Sequence, residues 1–324
     1  MSDQQLELAK NLGLYVHQNV ASGFKLVDSP DLKVWFMEGI SHSYHCYKNA
    51  RNTNSWFFVQ LPWHHDKAYL KNCAEFFEKV TGLERLRVIV LANSHIELAH
   101  SISVGFKYSV LVPHNCFLDY ELMTPVNVEK KYDLVLNTRP EKWKRPFLAE
   151  KVQKLAIIKG ANHRPSDFYD LNQLKPLFIN NERIGPNDVS KILCQSYAGG
   201  IFSAVEGGCY SSSEYLLLGL PVISTDCLGG RDIWYTERNS LKVEDNSSAV
   251  AVGVEKAKNM VMNGYFDPDE IRRDHILMSN FYRSTFVDSL HKVVVDFGID
   301  GEVLFRETYK HKFIQYTKID ENGK

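Results

Sequence analysis

Along the chain, apolar residues gather into short runs divided by longer stretches of helical spacing. "KVWFMEG" (33–39), "SWFFVQL" (55–61), "RVIVLAN" (87–93) and "YSVLVPH" (108–114) have strand length and are rich in β-branched and aromatic residues. Between the last three, "KAYLKNCAEFFEKVTG" (67–82) and "IELAHSISVG" (96–105) follow a helical period, the second closing on a glycine in the C′ position. Strands alternating with helices predict a mostly parallel sheet covered on both faces. The pattern pauses at "LDYELMTPVNVEKK" (118–131), where a proline and mixed charge mark a domain boundary.

It resumes with "YDLVLNT" (132–138), "KLAIIKG" (154–160), "LKPLFIN" (174–180), "GGIFSAV" (199–205), "PVIST" (221–225) and "SLKVED" (240–245). Helical segments at 146–153, 185–197, 209–218 and 247–264 separate them. Two consecutive Rossmann-like α/β lobes follow, spanning 1–128 and 129–266, with a helical tail over 267–324. No repeat or low-complexity stretch interrupts the pattern, and the final "KIDENGK" reads as a frayed end.

Composition changes this picture little. The 324 residues suit two domains, and a 44% hydrophobic, 24% charged chain buries an ordinary core. A formal charge of −1 gives no general attraction to nucleic acid or acidic membranes, so any anion site must be local. The six cysteines, Cys46, Cys73, Cys116, Cys194, Cys209 and Cys227, form no CxxC pair and read as free thiols in a reducing compartment. The N-terminal segment lacks the basic and apolar regions of a signal peptide, and no window has the length of a membrane span. A cytoplasmic protein is expected, with peripheral membrane contact left open.

Candidate chemistry concentrates in "EGGCYSSSEYLLLGLPVISTDCLGGRD" (206–232). In an open parallel sheet, ligands bind beyond the carboxyl ends of the strands. A strand running into Gly207-Gly208 and then a helix offers amide N–H groups and a helix N-terminus to an anion. Glu206 at the strand end and Glu214 in the helix stand eight residues apart, about two helical turns, so both carboxylates are expected on one side, facing one cleft. Carboxylates suit paired sugar hydroxyls, and amides suit phosphate, which is the layout of a nucleotide sugar. Turn and surface charges would place glutamates there as readily.

The second constellation is "NTRPEKWKRP" (137–146). Arg139 and Lys144 follow the first strand of the second lobe, with Arg145 adjacent, and eight Lys/Arg stand against two Glu between 137 and 164. An Arg fork with a Lys point charge is a common clamp for phosphate oxygens. A solvated basic face would account for Lys151 and Lys154 but less well for Arg139, which leaves a strand.

The run "GPNDVSKILCQSYAGGIFSAVEGGCYSSSEYLLLGLPVIST…GGRD", preceded by "RPEKWK", resembles the donor-binding lobe of retaining glycosyltransferases of the GT-B fold, with their Glu-x7-Glu motif. The resemblance covers about 132–245. It implies Glu206 on the transferred sugar, Glu214 on the ribose, and Arg139 and Lys144 on the diphosphate. It further implies donor contacts from Gly207, Gly208, Cys209, Tyr210, Gly229 and Gly230. The last helices of that fold cross back to the first lobe, which "PDEIRRDHILMSNFYRSTFVDSLHKVVVDFG" (268–298) has the length to do. This sequence departs by its bulky Leu-Leu-Leu-Gly-Leu-Pro turn and by lacking an early Gly-rich loop.

"VPHNCFLDY" (112–120) ends a strand on the acceptor side, making His114 a catalytic candidate and Asn115 and Asp119 acceptor-side candidates. His42, His45, Cys46, His64 and His65 match no zinc-ligand spacing, and no acidic pair suits a metal on diphosphate, so no metal and no cofactor beyond the nucleotide sugar are expected. Trp63 and Trp143 are candidates to stack on sugars. The expected partners are a nucleotide sugar and a glycan or glycoconjugate, and not nucleic acid. Alternatives are a nucleotide-sugar epimerase or hydrolase of similar shape, which would need His114 and Asp119 as acid and base, or a non-catalytic sensor of nucleotide sugars.

Overall fold

A computed structural model describes residues 3–14, 20–39, 54–81, 84–313 and 316–318. The candidates His42, His45 and Cys46 and most of the final "KIDENGK" lie outside them. The chain divides into two compact units, Met1–Leu118 with Asn280–Lys324, and Asp119–Ser279.

The first unit holds a six-stranded sheet in the order Tyr316–Lys318, Val20–Asp28, Lys33–Glu38, Ser55–Gln60, Val88–Ala92, Val110–Leu111. Its last four strands are parallel. Ser55–Gln60 and Val88–Ala92 are nearly continuous apolar runs because both of their faces are covered; Phe57, Val59, Val88 and Val90 are fully buried against Leu70, Cys73 and Phe76 of the Lys67–Phe76 helix. That helix stops short of the expected residue 82 and passes into a π-turn over Phe77–Thr81. The helix His95–Ser103 closes as its sequence foretold. Gly105 at φ 104° and the bonds from Gly105 N to Ile102 O and from Phe106 N to Ser101 O form a Schellman cap.

The sheet departs from the expected parallel arrangement at one side, where Val20–Asp28 pairs antiparallel with both Lys33–Glu38 and Tyr316–Lys318. Its Ser-Gly pair hides the strand in the sequence. Gly23 sits at φ 147°, and a Cβ there would run into the Phe36 carbonyl of the neighbouring strand.

The second unit is a fully parallel six-stranded sheet. In chain order its strands are Tyr132–Thr138, Leu155–Lys159, Phe178–Ile179, Ser196–Ile201, Val222–Ser224 and Ser240–Lys242, and in space they run third, second, first, fourth, fifth, sixth. This is the doubly wound order in which the chain reverses direction between the first and fourth strands, leaving a crevice beyond their carboxyl ends. Helices Pro186–Cys194, Tyr210–Leu217 and Ser247–Met262 match the predicted segments.

Two segments differ. Residues 146–153 give only a 3-10 turn, Pro146–Ala149, because Arg145 enters it in the left-handed region at φ 52°. The run 174–180 shrinks to Phe178–Ile179 because Leu171–Leu174 is a 3-10 turn closed by Lys175 at φ 50°.

Two glycines of the Ser196–Ile201 strand position the site. A Cβ on Gly199 would fall within the Tyr215 ring, and one on Gly200 would meet Leu136 Cδ2 at 2.7 Å. The bare Gly199 lets the Tyr210–Leu217 helix lie close on the sheet, while Gly200, on the other face, makes room for Leu136 and Phe202. Fully buried Tyr215 then receives Asn137 N–H on its hydroxyl at 2.6 Å, fixing the helix to the end of the first strand. The tail is mainly helical, with Pro268–Val294 starting in the second unit and ending in the first, then Gly301–Thr308.

Candidate functional site

A pocket opens at the crevice between the first and fourth strands of the second unit, lined by Asn137, Thr138, Ile201, Phe202, Ser203, Glu206, Cys209, Ser211 and Lys144 among others. Glu206 is 4% exposed and would cost several kcal/mol as a lone buried anion. It is compensated by Lys144 Nζ, which donates to Glu206 Oε1, and by Ser203 Oγ at 2.6 Å on the same oxygen.

The two glycine pairs are brought together by backbone pairing. Val205–Glu206 and Leu228–Gly229 form a short parallel ladder with Glu206 opposite Gly229, and Gly230 N donates to Gly207 O at 3.0 Å. Leu228–Gly229 thereby becomes the rail on which Glu206 is held. The helix that follows begins only at Tyr210, with Cys209 as its N-cap in the left-handed region at φ 61°.

The eight-residue helical spacing of the two glutamates therefore does not apply: Glu206 lies on a strand, and the break at Cys209 separates it from the helix of Glu214. Glu206 lines the pocket, and Glu214 reaches it through Asn137, which also lines it. Glu214 Oε2 accepts Asn137 Nδ2 at 2.8 Å, while Ser211 Oγ donates to Asn137 O at 2.9 Å. The Cys209 thiol is pushed up to about 12 by burial first and then by the charge of Glu206. That direction favours the thiol form at neutral pH.

The basic segment divides by role. Lys144, which lines the pocket, sits 4.2 Å from the Trp143 ring centroid, and Arg139 sits 5.2 Å from the same centroid. Trp143 is enclosed by cations rather than bare. Arg145 is structural: its guanidinium donates to Phe202 O, to Thr225 Oγ1 at 2.8 Å and to Asp245.

Arg231, in "GGRD" directly after the second glycine pair, has a role that no local sequence pattern signals. It is fully buried and donates to the carbonyls of Ile201, Ser203 and Thr225 and to Asp232 Oδ1. Three strand-end carbonyls that the loop leaves open are thus closed by one side chain. Asn137 likewise carries no signal in the sequence, since a lone polar residue ending an apolar strand has no periodic signature.

In the first unit, three neighbouring strand ends are tied by Asn93, which donates to Leu61 O at 2.8 Å and accepts from His114 N at 3.1 Å. The His114 ring is 4% exposed with Nδ1 3.2 Å from Leu61 O, and Asn115 is fully buried beside it. Asp119 belongs to the second unit and caps its own turn by accepting Glu121 N at 3.0 Å. Glu97, fully buried, anchors the His114 network: its carboxylate accepts Asn93 N at 2.7 Å and His65 N at 2.9 Å.

Burial raises the Glu97 carboxyl to about 7 from 4.5, outweighing those donors. A folded-state pKa above the unfolded one means stability is fully present below pH 4.5 and is lost as pH rises through 7. Denaturant melts at several pH values should show a decline of roughly 3 kcal/mol across this window that Glu97→Gln flattens. Equal slopes in both proteins would count against it.

No protein-family model matches the chain, and no curated protein sequence matches it. Solved structures do. Anabaena HepE with UDP-glucose superposes with a TM-score of 0.60 at 11% identity, over 80% of this chain and 79% of that one. A glycosyltransferase from Rickettsia africae gives 0.56 at 14% identity, over 89% and 79%. Sucrose-phosphate synthase from Thermosynechococcus elongatus gives 0.55 at 15% identity, over 84% and 72%. The likeness shows the fold: two α/β units of the GT-B kind.

Proposed function

We propose that the protein is a glycosyltransferase that moves a sugar from a nucleoside diphosphate donor to a hydroxyl of a glycan or glycoconjugate, with retention at the anomeric carbon and without a divalent metal. The observation that carries this reading is the Lys144–Glu206 pair in a pocket at the switch point of a doubly wound sheet. HepE structures with UDP and with UDP-glucose make a uridine nucleotide the first donor to try.

In this reading Arg139 and Lys144 hold the diphosphate, and the amides around Gly207, Gly208, Tyr210 and Gly229 add donors, while the Gly230 amide, spent on Gly207 O, shapes the loop. Glu214, aimed by Asn137, takes the ribose diol. Glu206 takes sugar hydroxyls. As the bond from the anomeric carbon to the phosphate oxygen breaks, the electron pair leaves with the diphosphate, and the fixed cations stabilise that charge where it develops. The acceptor hydroxyl attacks from the same face and passes its proton to the departing phosphate. His114, Asn115 and Asp119 are proposed on the acceptor side. No covalent sugar intermediate is invoked.

Thermal stabilisation by UDP-, GDP-, TDP-, ADP- and CMP-sugars, with and without magnesium, tests the donor site. One nucleotide at 100 times its Kd should add about 2.7 kcal/mol to the wild type and little to Arg139→Ala or Glu214→Ala. The reading fails if nothing shifts the protein or if the variants shift equally. The anomeric configuration of the product, read by NMR, tests retention.

A further inference from the structure

Trp143 carries more positive charge than a two-residue clamp requires. Besides Arg139 and Lys144, the guanidinium of Arg164 stands 5.4 Å from the centroid of the same ring. Each contact of this kind at an exposed site is weak, too weak to explain gathering three cations on one indole.

Arg164 is not an arbitrary surface residue, because the loop that bears it is sewn to the Arg139–Lys144 segment. Fully buried Glu141 is the knot: it accepts Trp143 Nε1 at 2.6 Å and His163 N at 3.0 Å, and it lies 3.6 Å from Arg139 Nε. Trp143 N donates to Asp167 Oδ2 at 3.1 Å, Tyr169 N donates to Pro140 O at 3.0 Å, and Glu141 pairs with Phe168 in a β-bridge. Gly160, at the start of the loop, admits this approach, since a Cβ there would meet Arg139 Cγ at 3.3 Å.

We propose that Arg164 is a third cation of the diphosphate seat, held beside Arg139 and Lys144 by the Trp143 indole, with Glu141 as the residue that positions it. The inference rests on the donor-site reading above and extends it to a residue outside the motif. Its ligand is the diphosphate group itself, whatever base is attached. Fixed before the donor arrives, the three groups meet the diphosphate without reorganising, and the charge that grows on the leaving group meets a field already in place.

The test is calorimetric titration of the full chain with inorganic pyrophosphate, inorganic phosphate, UDP, GDP, ADP and TDP at low and high salt. Arg164→Ala should weaken pyrophosphate and the bound nucleoside diphosphate about tenfold, flatten the salt dependence and leave the melting temperature unchanged, with Arg164→Lys recovering part of the affinity. Glu141→Gln should weaken the same ligands while Arg164 is intact.

Undiminished binding by Arg164→Ala, alongside loss in Arg139→Ala and Lys144→Ala, would overturn the proposal and leave the donor site standing. A loss matched by a lower melting temperature and not recovered by lysine would overturn it too, marking Arg164 as a loop strut. If the wild type binds neither pyrophosphate nor any of the four nucleotides, the donor-site reading falls and this inference with it.

Discussion

Lys144→Ala should reduce sugar transfer by about 10²–10³-fold, the usual loss when one preorganised group is removed from a developing charge. The same substitution should also lower stability, because it strands Glu206, whose side chain is 5% exposed against 16% for its partner. Breaking a buried pair from one side costs about 3–5 kcal/mol, chiefly through the uncompensated charge. The two effects separate in a double variant. Lys144→Met with Glu206→Gln should recover most of the stability and none of the activity, as followed by denaturant melts and initial rates. If Lys144→Ala keeps its turnover within threefold of the wild type, the lysine is a structural counterion and the mechanism above is mistaken.

Arg231→Ala should be the most damaging change to the second unit's fold. The side chain is fully buried and serves the carbonyls of Ile201, Ser203 and Thr225 together with Asp232. Its removal leaves those acceptors in a dry site and opens a cavity under the strand end that leads to Glu206. A loss of about 4 kcal/mol is expected, enough to unfold a marginal protein at 37 °C. Arg231→Lys should recover only part of it, since one ammonium cannot reproduce the fork. Melting within 2 °C of the wild type in Arg231→Ala, on the scale where about 1 kcal/mol moves a domain of this size by 2–4 °C, would refute the assignment.

The central strands were legible because parallel strands covered on both faces must be apolar throughout, and Val88–Ala92 and Leu155–Lys159 read so without ambiguity. Val20–Asp28 was not legible, since its glycine answers to a neighbouring strand that the local sequence does not reveal. The candidate site divides in the same way. Glu206, Lys144 and the glycine pairs stood out by type and spacing, but the geometry inferred for the glutamates assumed a helix that Cys209 interrupts. Arg145 and Lys144 are adjacent and chemically alike. Only the left-handed turn at Arg145 sends the guanidinium to the Phe202 carbonyl, the Thr225 hydroxyl and Asp245 and leaves the ammonium for the pocket. Arg164 lies twenty residues beyond Lys144, and what unites them is a contact between two loops, which no local pattern encodes.

The first unit is assembled from two separated lengths of chain, Met1–Leu118 and Asn280–Lys324. Its sheet ends on Tyr316–Lys318, and Phe313 stacks on Phe24 at 5.2 Å and on Phe36 at 4.7 Å. On the ribosome, at roughly 5–20 residues per second, the missing length begins to emerge about 8–30 seconds after Leu118. Asp119–Ser279 is continuous and is made entirely within that interval. The unit begun first is therefore finished last, and the Phe24 and Phe36 rings wait with part of their apolar partners unsynthesised, a window in which a nascent-chain chaperone would find its client.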